Sequence, residues 1–178
     1  MEALRKEISH TVDDIYALPE GERAERIEGE IYYMAPSGTA HQRILNFIGT
    51  EINLYIRKSR GDCEVFPAPF AVFLNENNKN YVEPDISVIC DRDKITDRGC
   101  EGAPDWVTEI VSPGSRQIDY FKKLFLYRMA GVREYWVVDP DKGFTTVYNF
   151  EQDTMREYRF GEDVPAGIYG DLSIRIDL

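Results

Sequence analysis

Two carboxylates set against apolar, strand-like runs constrain this chain more than any other feature. In Tyr81-Val-Glu-Pro-Asp-Ile-Ser-Val-Ile-Cys90, Asp85 stands just before the β-branched run of Ile86, Val88 and Ile89, at the lip of a predicted buried strand. In Trp106-Val-Thr-Glu-Ile-Val111, Glu109 sits inside a second run of this kind, among Trp106, Val107, Ile110 and Val111. An ionised carboxylate beside apolar strand residues is costly unless it is paired, hydrogen-bonded or liganded. Neighbouring strands lie roughly 5 Å apart, so pairing these two would bring Asp85 and Glu109 together. That separation suits two carboxylates sharing one hard cation such as Mg²⁺. Two plainer arrangements satisfy the same charges: each caps a loop, or each pairs with an arginine.

The 178 residues suffice for a single domain, residues 1–178, with a real core. No run approaches the roughly 18 apolar residues of a membrane span, and Met1-Glu-Ala-Leu-Arg-Lys-Glu lacks a signal-peptide core. Cys63, Cys90 and Cys100 are odd in number and not in CxxC spacing, so neither a disulfide framework nor a zinc site is expected and a reducing cytoplasm is the default. A net charge of −11, from 21 Lys and Arg against 32 Asp and Glu, argues against a protein that coats nucleic acid. It leaves room for a nuclease, because carboxylates gathered around a metal add negative charge of their own.

Taken in order, Thr11 to Pro19 reads as a short helix or turn, and Ala24 to Met34 as a hairpin or bend about Gly29. Glu25, Glu28 and Glu30 are expected to face solvent, with one of them able to reach a metal. Ile44, Ile48, Ile52 and Tyr55 recur at helical spacing after Pro36, capped by Ser37 or Thr39, and the helix stops at Gly61. Arg57, Lys58 and Arg60 in its last turn complement the helix dipole. His41 near its start fits either a capping or packing role or an active-site role. Asp62 to Leu74 suits one strand, or two broken at Pro67 and Pro69, and Asn75 to Asn80 a polar turn. Asp91 to Gly102 reads as an exposed loop. After Ser112-Pro-Gly-Ser115, with Ser115 as cap, a second helix carries Ile118, Phe121, Phe125 and Met129 on one face and ends at Gly131. Glu134 to Asp139 reads as a buried strand. Phe144–Phe150 and Met155–Phe160 form a meander, and Gly170–Leu178 alternates like a last short strand.

Several catalytic templates are absent. There is no GxGxxG, P-loop or GxSxG elbow, and only His10 and His41 could serve a hydrolytic triad. Carboxylates with a lysine remain, the set that phosphodiester hydrolysis uses with a Lewis acid. Pro84-Asp85, then Glu109-Ile-Val-Ser-Pro-Gly-Ser-Arg116, then Asp119 and Lys123 ahead of Tyr127, then Gly131-Val-Arg-Glu-Tyr-Trp-Val-Val-Asp-Pro140, resemble the Uma-type restriction endonucleases of the PD-(D/E)XK nuclease superfamily. The resemblance runs from about Glu25 to the C-terminus and is densest over residues 84–140.

It implies an α/β (α+β) fold: a restriction-endonuclease-like mixed sheet flanked by helices, with an added C-terminal hairpin or meander. It also implies phosphodiester cleavage with Mg²⁺ or Mn²⁺. Asp85 and Glu109 match the metal-binding carboxylates, and Glu25 is a candidate third ligand. The superfamily's lysine usually lies two residues after the glutamate, where this chain has Val111, so a displaced lysine is implied. Helical periodicity alone favours Lys122, whereas the family spacing from Asp119 implies Lys123. Gly114 stands where the family often has Ser. On this basis the expected site is Asp85, Glu109 and Lys123, assisted by Glu25, His41, Asp119 or Lys122, acting on nucleic acid, DNA above all, with no membrane role. A homodimer is among the assemblies open to it. The rival reading is a non-catalytic interaction module on a retained nuclease fold.

Overall fold

A computed structural model describes residues 10–74 and 79–177. The core of the fold is a six-stranded mixed sheet. In spatial order it runs β12 (Thr154–Arg159), β11 (Phe144–Asn149), β10 (Glu134–Asp139), β9 (Trp106–Ile110), β6 (Ile86–Ile89) and β3 (Glu64–Pro67). Within this sheet β9 and β10 pair in parallel, because the helix between them returns the chain to the end from which β9 began. The pairing of β6 with β9 is antiparallel, with Ile86 opposite Thr108. Carried one residue further, that register sets Asp85 opposite Glu109, as expected from the sequence.

One face of this sheet is covered by α2 (Thr39–Ser59), whose Ile44, Ile48, Ile52 and Ile56 pack on Ile86, Val88, Trp106, Ile110, Trp136 and Val138. Ile174 and Val164, from the hairpin of β13 (Asp163–Pro165) and β14 (Ser173–Arg175), close the same core. The other face, with Val107, Val111, Tyr135 and Val137, meets Leu126 and Tyr127 of α3 (Leu124–Ala130). It also meets a second sheet, ordered β2 (Glu30–Met34), β1 (Arg23–Ile27), β5 (Tyr81–Val82), β4 (Val72–Phe73), β8 (Gly99–Glu101) and β7 (Ile95–Thr96). A short α1 (Val12–Tyr16) packs on β1 through Val12 and Ile15. Among the described residues no helix is long and apolar enough to cross a membrane.

Several expectations need correction. Cys63 and Cys90 form a disulfide. They follow on from the Glu64–Ile89 pair of β3 and β6, so strand pairing brings together two cysteines that sequence spacing left apart, and cysteine usage no longer argues for a reducing compartment. Neither Ser37 nor Thr39 caps α2; Gly38 occupies the N-cap without a side-chain bond. The segment 91–102 is a folded edge rather than a loop, since a 3₁₀ turn at Arg92–Lys94 and the strands β7 and β8 run through it and Cys100 is buried. The turn expected over Asn75–Asn80 lies largely outside the described residues. The sharpest correction concerns the second helix. Phe121, Phe125 and Met129 do share a face, but it points to solvent, with exposures of 72%, 61% and 69%.

Candidate active site

Besides Leu126 and Tyr127, the second helix turns polar groups inward. Its first stretch, Ile118–Lys123, is a π-helical turn that runs directly into α3. Insertions of this kind re-aim side chains and recur at functional sites. Asp119 and Lys123 leave this turn buried, and Tyr127 follows on the same side one turn later. Facing them are Glu109, midway along β9, and Glu25 on β1. The expectation that Glu25 faces solvent fails because its strand is the one that covers this side of the core. Glu25 is 4% exposed, and Glu28 and Glu30 remain outside.

The contacts are short and mutual. Lys123 Nζ lies 2.8 Å from Glu109 Oε1 and 2.8 Å from Glu25 Oε2. Asp119 Oδ1 is further from it, at 3.7 Å. The Tyr127 hydroxyl donates to Glu109 Oε1 at 2.6 Å, and the Glu83 amide donates to Glu25 Oε1 at 2.9 Å. Asp85 Oδ2 accepts from the Ile110 amide at 2.7 Å and is 3.0 Å from His41 Nε2. His41 is therefore a neighbour of the candidate site and not a helix cap. Lys122 points elsewhere, to Glu30 and over the Tyr32 ring. The periodicity argument for Lys122 fails because the apolar stripe on which it rested is the exposed one. Asp85, Glu109, Lys123, Glu25, Asp119 and His41 all line one cavity of about 370 Å³, walled further by Tyr32, Ser37 and the Ser112–Ser115 loop.

The electrostatics follow from burial. Four carboxylates, Glu25, Asp85, Glu109 and Asp119, share this cavity with a single lysine. Burial holds the Glu109 carboxyl well above its ordinary value; Lys123 opposes this, while Asp119, Glu25 and Asp85 reinforce it. Burial likewise pushes Asp119 up to about 6, against Lys123 and a hydrogen bond from Ser115. For Lys123 burial acts the other way, yet Glu109, Glu25 and Asp119 overcome it and hold the ammonium well above its usual range. Among the described residues no set of three or more His, Cys, Asp or Glu side chains is placed to hold a metal ion. The sequence reading missed Tyr127 as a site residue, although its place four residues after Lys123 and eight after Asp119 puts it on their helix face.

Known proteins resemble this chain over most of its length. A crystal structure from Anabaena variabilis, described as "a putative nuclease belonging to DUF820", matches with a TM-score of 0.74 and 26% identity over 93% of this chain and 94% of that one. No curated protein matches the sequence. The family profile Uma2, described as "Putative restriction endonuclease", matches residues 12–174. The chain belongs to the Uma2 family.

Proposed function

We propose that this protein is a metal-dependent endonuclease that hydrolyses phosphodiester bonds in DNA. The observation that carries the reading is the meeting of Asp85, Glu109 and Lys123, from three separated parts of the sequence, in one cavity. The residues present suit a hard divalent cation such as Mg²⁺ or Mn²⁺. Asp85 and Glu109 offer only oxygen, and the carboxylates lining the cavity outnumber the lysine four to one. Asp85 and Glu109 would hold the ion. Glu25, a candidate third ligand by resemblance, is already engaged by Lys123 and the Glu83 amide. When bound, the cation polarises the phosphoryl oxygen and acidifies water.

The chain's own groups prepare that step. Tyr127 and Lys123 fix the Glu109 carboxylate, while the Ile110 amide and His41 fix Asp85, so neither ligand has to be ordered on binding. Lys123, held protonated between two glutamates, acts as a fixed positive charge toward the phosphoryl oxygens and is not the proton acceptor. The test is cleavage of plasmid and of labelled oligonucleotides with Mg²⁺ or Mn²⁺ against EDTA, with Asp85→Asn as the control. Metal-dependent cleavage lost in Asp85→Asn supports the reading. A wild type silent on every DNA and RNA with either metal would instead favour an interaction module, consistent with the net charge of −11.

A further inference from the structure

Hydrolysis requires a proton acceptor for the attacking water, and most groups in the cavity are already committed. The Lys123 ammonium is clasped by Glu25 and Glu109. Glu109 Oε1 accepts from both Lys123 and Tyr127. Both oxygens of Glu25 lie against Lys123, and one also accepts from the Glu83 amide. Asp85 Oδ2 is taken by Ile110 N and His41. Asp119 differs. It is 2% exposed, it lines the cavity, and its Oδ1 has no hydrogen-bond partner among the described residues. The residue is also held firmly, since its amide donates to the Ser115 carbonyl at 2.9 Å and its own carbonyl accepts from the Tyr135 hydroxyl at 2.9 Å. The π-helical turn is what points this carboxylate inward.

We propose that Asp119 is the general base of the site and takes the proton of the attacking water on Oδ1. The inference rests on the phosphodiesterase reading above. As water is deprotonated by Asp119, its oxygen bonds to phosphorus. The bond from phosphorus to the leaving sugar oxygen breaks, the electron pair stays with that oxygen, and the resulting alkoxide takes a proton from solvent. Asp119 then returns its own proton to solvent. The groups that face Asp119 are Glu25, Asp85, Glu109 and Tyr135 from the strands, with Lys123 and Ser115 from its own segment. Burial raises its proton affinity most and Glu25 and Asp85 add to this, while Lys123 and the Ser115 hydrogen bond lower it. His41, whose Nδ1 is also buried without a partner among the described residues, is the competing candidate.

The experiment is single-turnover cleavage of a fluorescein-labelled DNA with Mn²⁺ by wild type, Asp119→Asn, Asp119→Gly and His41→Gln. Substrate binding by fluorescence anisotropy and denaturation midpoints accompany each variant. Asp119→Asn should bind as wild type does and cleave about 10² to 10⁴ times more slowly, the range that a positioned base contributes. Added formate should restore cleavage to Asp119→Gly in proportion to its concentration and restore nothing to Asp85→Asn, since a small acid can replace a proton acceptor but not a protein-held ligand. Asp119→Asn cleaving near the wild-type rate, Asp119→Gly silent at every formate concentration, or loss confined to His41→Gln would each overturn the assignment. Wild-type silence on every substrate would instead remove the nuclease reading on which it rests.

Discussion

The charge cluster should cost stability in a way that one substitution reveals. An Asp119 carboxyl with a pKa of about 6 in the folded chain, against 3.8 when unperturbed, binds its proton roughly a hundredfold more tightly when folded. Below about pH 4 both folded and unfolded chains carry that proton, and the residue is neutral in the balance. As the pH rises through about 6, the folded chain must ionise a buried group that the unfolded chain has already ionised at little cost. Stability is therefore lost across that window, by up to about 3 kcal/mol at roughly 1.4 kcal/mol per tenfold change in affinity. Asp119→Asn keeps the shape and the Ser115 contact but removes the titration. Urea denaturation at half-unit steps from pH 4 to 8, in EDTA to keep cations away, should show the variant level with wild type at pH 4. It should then exceed wild type by about 1–3 kcal/mol at pH 7, the lower figure allowing for coupling to Glu25 and Glu109. A gap that does not change with pH, or a variant weaker than wild type at pH 7, would show that desolvation does not govern this carboxyl.

Other consequences can be checked alongside. Lys123→Met should destabilise the protein by about 3–5 kcal/mol in thermal or urea melts, because it leaves Glu25 and Glu109 buried without their cation; it should also slow cleavage about a hundredfold or more. Tyr127→Phe, which strips a donor from a buried carboxylate, should cost about 1–3 kcal/mol and weaken Mn²⁺ binding measured by calorimetry. Millimolar Mn²⁺ should raise the wild-type melting temperature and leave Asp85→Asn unmoved, by the mass action of a ligand held only by the folded chain. Reducing the Cys63–Cys90 bond, which spans 27 residues, should lower stability by about 3.5 kcal/mol on the loop-entropy account, with Cys63→Ser insensitive to reductant.

Where the sequence carried a strong period, the fold was legible in it. The isoleucines of α2 recur every four residues and form the buried stripe, and the β6, β9 and β10 runs are strands as expected. Asp85 and Glu109 could be paired on paper because each is fixed by its own strand. The two-residue strands β4, β5 and β7 carry too few side chains for a period to show, so the second sheet was not visible. The disulfide escaped for a related reason: Cys63 and Cys90 meet only through the β3–β6 register, which neither spacing nor count encodes. Lys123 came from family spacing, and the helical wheel pointed to its neighbour. The wheel assumes an unbroken period of 3.6 residues, which the π-helical turn does not keep.

That failure of the wheel is itself informative about selection on this helix. Burying Phe121, Phe125 and Met129 would bring about 1.5–3 kcal/mol each in transfer free energy. Burying Lys123 with two glutamates returns close to nothing at best, since the attraction within such a cluster barely offsets its desolvation. On folding energy alone this apolar face should have turned inward as Leu126 and Tyr127 of the same helix do. It stands in solvent, while a lysine and an aspartate occupy the buried side at the cost of a distorted helical turn and raised carboxyl proton affinities. Leu126 and Tyr127 do pack inward from the same helix, yet a buried lysine and aspartate beside them break local rules together at one place, as a working site does. The face that was not buried therefore argues for chemistry as strongly as the carboxylates that were.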